Sequence, residues 1–145
     1  MTNHWEMTMQ PKRPILLVED PAADTPAAKP ALDNLGMGDR VICSATMPEA
    51  LVHLKARTEQ RPAVVLLSLD DAGGNGLATL RTIKADDQLR TIPVVVLGPS
   101  DDGRIVDESF GLGAAGYMVK SPNQREFSKT MRTLCECWSL SELPK

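Results

Sequence analysis

Three short runs of almost unbroken apolar residues, PILLV at 14–18, VVLLSL at 64–69 and PVVVL at 93–97, constrain this 145-residue chain more than any other feature. A run with no polar alternation has to be covered on every side. At five or six residues rich in branched side chains it reads as a strand buried on both faces, not as a helix. Strands of that kind are parallel, and parallel neighbours need right-handed crossovers that lay helices over both faces of the sheet.

The segments between the runs supply those helices. Residues 24–35 hold the position of the first, with Pro26 tolerable in a first turn and Pro30 expected to shorten or kink it. A second strand at 41–45 leads to Thr46, Pro48 and Glu49, a capping box with proline in its first turn, and Leu51 and Leu54 give the following helix an apolar face to about residue 57. The loop DDAGGNG precedes a helix carrying Leu77, Leu80 and Ile83 on one side. Ser100 can cap a helix bearing Ile105, Val106 and Phe110 that stops near Gly113, and residues 117–119 form a fifth strand. Ser121, Pro122 and Gln124 read as a second capping box, after which Phe127, Met131, Leu134 and Trp138 recur at helical spacing.

Five strands alternating with five helices predict an α/β doubly wound parallel sheet, (βα)5 and flavodoxin-like, in the order 2-1-3-4-5. Its site should lie at the carboxyl ends of strands one, three and four. One domain over 14–138 is expected, with a disordered tail at 1–13 and an extension at 139–145. Sixteen basic against nineteen acidic side chains, a net charge of -3, give no reason to expect nucleic acid as a partner. No apolar run approaches the roughly 20 residues that span a bilayer, and MTNHWEMTMQPKR lacks a secretory core, so the expectation is no membrane and a cytoplasmic location. Three cysteines are no disulfide framework, and Cys135 and Cys137, two apart on a helical pattern, do not share a face for metal. His4 and His53 stand apart from any other ligand-like cluster.

Over residues 14–138, ILLVED, VVLLSL, RTIPVVVL and LGAAGYMVK together make the chain resemble the receiver domains of two-component response regulators. IKADDQLRTIPVVVLGPSDD and the ending CWSLSELPK are most similar to the small single-domain regulators encoded beside bacterial phytochromes. The resemblance implies an acidic pair holding Mg²⁺, an aspartate ending strand three that takes a phosphoryl group from a phosphohistidine, a hydroxyl residue ending strand four and a lysine ending strand five. Such chemistry needs them together, because the metal and lysine must offset charge on the transferring oxygens.

Carried over residue by residue, Glu19 and Asp20 match the acidic pair, Lys120 the lysine and Tyr117 the aromatic switch position. The acceptor position falls on Ser68, and Gly98 stands where the hydroxyl residue belongs. The spacings support that register: eight residues from Ser68 to Gly76, thirty from Ser68 to Gly98 and twenty-two from Gly98 to Lys120. Serine is a poor nucleophile without a base beside it, and no histidine is placed to supply one. The expectation is therefore a degenerate, phosphorylation-independent receiver that is not an enzyme. Its Mg²⁺ binding would be weak, through Glu19, Asp20 and the backbone carbonyl of Asp70, and Lys120 would pair permanently with Asp20 or Glu19.

Its partners would be a sensor histidine kinase, a phosphotransfer protein or a second copy, docked on the face of helix four, strand five and helix five. Phe127, Trp138 and Leu140 are the interface candidates, although the stripe of Trp138, Leu140 and Leu143 could equally close the core's lower edge. Two alternatives stay open: a working receiver in which Asp70 or Asp71 is a displaced acceptor, and a native aspartate replaced by Ser68, which would need a separate change at Gly98. The glycines at 73, 74 and 76 lack the companions of a phosphate cradle.

Overall fold

The computed structural model describes residues 14–19, 28–34, 36, 40–55, 61–69, 76–98, 103–120 and 123–140. Five strands, β1 (Ile15–Val18), β2 (Val41–Ser44), β3 (Val64–Ser68), β4 (Val94–Gly98) and β5 (Gly116–Val119), form one sheet in the order β2-β1-β3-β4-β5. Every pairing is parallel, with Leu16 opposite Ile42 and Val65, Leu66 opposite Val95, and Gly98 opposite Val119. Five helices connect and follow them: α1 (Ala28–Asn34), α2 (Met47–Leu54), α3 (Gly76–Ala85), α4 (Gly103–Gly111) and α5 (Gln124–Leu140).

The unbroken apolar runs have the predicted cause. In β1, β3 and β4 alternate residues face two separate cores. Ile15, Leu17, Val64, Leu66, Val95 and Leu97 pack with Ala28 and Leu32 of α1 and Phe127 and Met131 of α5. Leu16, Val18, Val65, Leu67, Val94 and Val96 pack on the opposite face with Ala50 and Leu54 of α2 and Leu80 and Ile83 of α3, and Leu112 and Ala114 after α4 close that side.

Several local expectations are corrected. α1 begins at Ala28, which puts Pro30 in the first turn, where its missing N–H would have had no helical partner; the helix is short but needs no kink. Pro26 lies outside the described residues. α2 stops at Leu54, three residues early, while its start is as read: Thr46 Oγ1 accepts from Glu49 N–H at 3.4 Å, and Glu49 Oε2 accepts from Ala45 N–H at 3.2 Å. The buried face of α3 is Gly76, Thr79, Leu80 and Ile83, with Leu77 only half buried. α4 buries only Ser109 fully, and Phe110 is 49% exposed.

α4 ends where expected. Gly113, at φ 105, takes the left-handed position of a Schellman motif, in which Ala114 N–H reaches Ser109 O and Gly113 N–H reaches Phe110 O, both at 3.0 Å. α5 is capped by Asn123: its Oδ1 accepts from Arg125 N–H at 3.0 Å and Glu126 N–H at 3.2 Å. Ser121, Pro122 and Ser100 lie outside the described residues. α5 runs to Leu140, two residues past the boundary read from the sequence.

Phe127 is also corrected. Expected at an interface, it is fully buried between α5 and the sheet. The side chains of Cys135, Cys137, Trp138 and Leu140, and all of residues 1–13 and 141–145, lie outside the described residues. Phe127→Ala should cost about 3–5 kcal/mol of unfolding free energy, whereas Phe110→Ala, a surface change, should stay within about 0.5 kcal/mol. Urea midpoints of the two variants check this, and equal losses would contradict the packing.

Candidate functional site

Four strands deliver their last or next residue to one end of the sheet: Glu19 after β1, Ser68 at the end of β3, Gly98 at the end of β4 and Lys120 after β5. Each strand's hydrogen bonding carries one step further, so these positions are held by backbone as well as side chains. Glu19 N–H donates to Ser44 O at 3.0 Å, Leu69 N–H to Leu97 O at 2.9 Å and Lys120 N–H to Gly98 O at 2.8 Å.

Lys120 joins the group. Its Nζ donates to Ser68 Oγ at 2.8 Å and to Glu19 Oε2 at 3.2 Å, across 52 and 101 residues of sequence. The lysine side chain is 1% exposed and that of Glu19 7%. An ammonium and a carboxylate so far from water are tolerable only as a pair with their remaining hydrogen-bond capacity used. Glu19 satisfies this from the other side, because Ala28 N–H, the first of α1, approaches both of its carboxylate oxygens at 3.1 Å. The positive end of that helix adds to the same effect.

Glu19, Ser68 and Lys120, named from the sequence, lie together in the structure; Ala28 was not among the residues named. A signal was available: if Pro30 must sit in a first turn, the N–H groups just before it are unclaimed donors next to the acidic pair. Ser68 is fully buried, and α3 starts hard against it. A Cβ on Gly76 would lie 2.9 Å from Leu69 Cα and 3.1 Å from Ser68 O, so the helix can approach the strand end only with glycine there.

Gly98 and Tyr117 also meet. A Cβ on Gly98 would lie 1.8 Å from the Tyr117 hydroxyl oxygen and 2.4 Å from Cζ, so the phenol stands in the space a side chain at 98 would take. The rest of the ring packs, half buried, on the α2 and α3 side of the sheet.

Asp20, Asp70 and Asp71 lie outside the described residues. Among the described residues, no three His, Cys, Asp or Glu side chains gather in a metal-holding group. The acid of the pair that is described, Glu19, has its charge offset by Lys120, and Ser68 offers a neutral oxygen. These residues do not by themselves fit a divalent cation, which asks for several anionic oxygens.

No protein-family model matches the chain. It is 30% identical over 132 residues to response regulator Rcp1 of Synechocystis sp., a match covering 88% of this chain and 90% of that protein. Among solved structures, the phosphorylated cyanobacterial phytochrome response regulator RcpA superposes with a TM-score of 0.78 at 31% identity, over 93% of this chain and all of the other. The Mn²⁺-bound form of Rcp1 superposes with a TM-score of 0.76 at 30% identity, again over 93% of this chain and all of the other. With its strand order, its buried lysine at the carboxyl end of the sheet and relatives matched over nearly their whole length, the chain belongs to the response-regulator receiver domains of two-component signalling, of the phytochrome-associated type that Rcp1 and RcpA represent.

Proposed function

We propose that this receiver signals by docking, independently of phosphorylation at the acceptor position. The observation that carries the reading is the shared ammonium of Lys120. The residue at the acceptor position is a neutral hydroxyl already bonded to it, and Glu19 holds the same cation from the other side. In a receiver that takes a phosphoryl group, about -1.5 to -2 charge arrives at this point and a lysine must be ready to meet it. Here the lysine is engaged by Ser68 and Glu19, and a serine hydroxyl is a poor nucleophile without a base to activate it. Phosphorylation is named for RcpA and Mn²⁺ for Rcp1; in this chain we expect divalent binding to be weak, drawing on Asp20 and the Asp70 carbonyl beside Glu19.

No substrate turnover is expected of such a module. Its partners are a sensor histidine kinase, a phosphotransfer protein or a second copy, met through α4, β5 and α5. Phe110 on α4, 49% exposed, and Val119 on β5, 40% exposed, support that face as the meeting surface; Trp138 and Leu140 on the last turns of α5 would extend it, with 139–145 as an extension of the domain at 14–138. No helix among the described residues is long and apolar enough to cross a membrane, and we place the module in the cytoplasm.

Intact-protein mass spectrometry after acetyl phosphate with Mg²⁺ tests the central point. The expected result is no added phosphoryl mass on the full chain, with uptake appearing in Ser68→Asp. An adduct on the native chain that disappears in an Asp70→Asn, Asp71→Asn double variant would overturn the reading and make this a receiver with a displaced acceptor.

The engaged lysine has its own test. Lys120→Met removes the counter-charge of a buried Glu19 and should cost about 3–5 kcal/mol in a urea titration, most of it recovered when Glu19→Gln is added. A loss of less than about 1 kcal/mol would be the behaviour of an exposed pair and would sink the idea of a fixed centre.

A further inference from the structure

Gly98 and Tyr117 carry a second inference that depends on neither Ser68 nor phosphate. Parallel pairing sets Tyr117 opposite Val96 and Val119 opposite Gly98, so the tyrosine's α-carbon lies two residues short of the end of β4. Its long side chain covers that distance along the sheet and ends over Gly98. There the phenol oxygen lies 1.8 Å, Cζ 2.4 Å and Cε2 3.1 Å from where a Cβ would sit. Real Cβ atoms do not approach heavy atoms at the first two of these distances. Alanine, the smallest possible side chain, is therefore already incompatible with the ring in this position. The backbone cannot easily yield either: Gly98 lies in a fully buried strand, and its carbonyl accepts Lys120 N–H at 2.8 Å. What has to move is the ring.

We propose that Gly98 and Tyr117 form a fixed latch: with no side chain at 98, Tyr117 stays turned in over the end of β4 whatever the site binds, and its hydroxyl stands where a hydroxyl side chain at 98 would. The latch explains how strand four can end on glycine in a packed sheet without leaving a hole, since the phenol is the filling. It also fixes the path of β5 into Lys120, three residues on. The β5 edge is thereby held in one arrangement, with the half-buried ring over the strand end.

The chain has one tyrosine, so a ring-labelled full-length sample gives a single, assigned tyrosine signal. Nuclear Overhauser contacts between the Tyr117 ring protons and the Gly98 α-protons are expected in the native protein, and they should persist after acetyl phosphate and Mg²⁺ are added. Their absence, or their loss with the phosphodonor, would overturn the latch. Nitration by tetranitromethane reads the same ring from outside: Gly98→Ala and Gly98→Thr should each shift the ring signal and raise the nitration rate several-fold over native. An unchanged signal and rate in a folded Gly98→Ala protein would also overturn it. The native-protein contacts decide the question even if both variants fail to fold. Phosphoryl uptake with the ring contacts intact would end the phosphorylation-independent reading and leave the latch standing.

Discussion

The ammonium of Lys120 is the group on which the rest of the site depends. Placing a lysine side chain at 1% exposure costs several kcal/mol unless its charge and its donors are met. Two groups that meet them come from different strands: Glu19 from the end of β1 and Ser68 from the end of β3, with the lysine itself leaving β5. The three strands are kept in register by cores on both faces, so the charge pair and the sheet hold each other in place. Displacing one strand by a single residue would reverse the facing of its side chains and leave the charge without partners.

Much of this was legible in the chain, for identifiable reasons. Runs such as VVLLSL announce strands covered on both faces, and once β1, β3 and β5 are aligned in parallel, their polar terminal residues have to converge at one end. The resemblance to receiver domains is what named Glu19, Ser68 and Lys120 as one site, and the parallel strands bring them together across 101 residues of sequence. Features set by a single turn were harder to read. Ser121 and Asn123 are both good cap residues, and the choice of Asn123 depends on where the chain leaves β5. Phe127 reads as part of an apolar stripe whether that stripe faces a partner or the sheet, and only the packing of α5 across β1, β3 and β4 decides for the core. The Tyr117 contact with Gly98 could not be read at all, because it depends on which way a long side chain lies along the strand.

The charge count at the centre gives a reason for serine at position 68 beyond the loss of a nucleophile. Among the described residues, the buried charges are one carboxylate and one ammonium. A second carboxylate at 68 would leave a buried negative charge in excess, which a bound cation would have to offset. A hydroxyl in the same place keeps the hydrogen bond to Lys120 and removes the excess. Among the described residues the charges then balance, and on the proposed reading a receiver with this centre is no longer switched at 68.

Gly98 follows the same logic by steric means. A switch needs two states of similar free energy separated by something a ligand can change. On the proposed reading, Ser68 offers a phosphoryl group no point of attachment. At Gly98 the side chain that could contest the tyrosine's position is missing, so the ring-out state gains nothing to offset the packing it gives up. Each departure alone would leave a partly functional switch, the first with a side chain at 98 still able to contest the ring, the second with an acceptor whose phosphorylation moved nothing at β5. On the proposed reading the two departures together remove both the input and its coupling to the surface, and leave a receiver fold acting as a docking module of one shape.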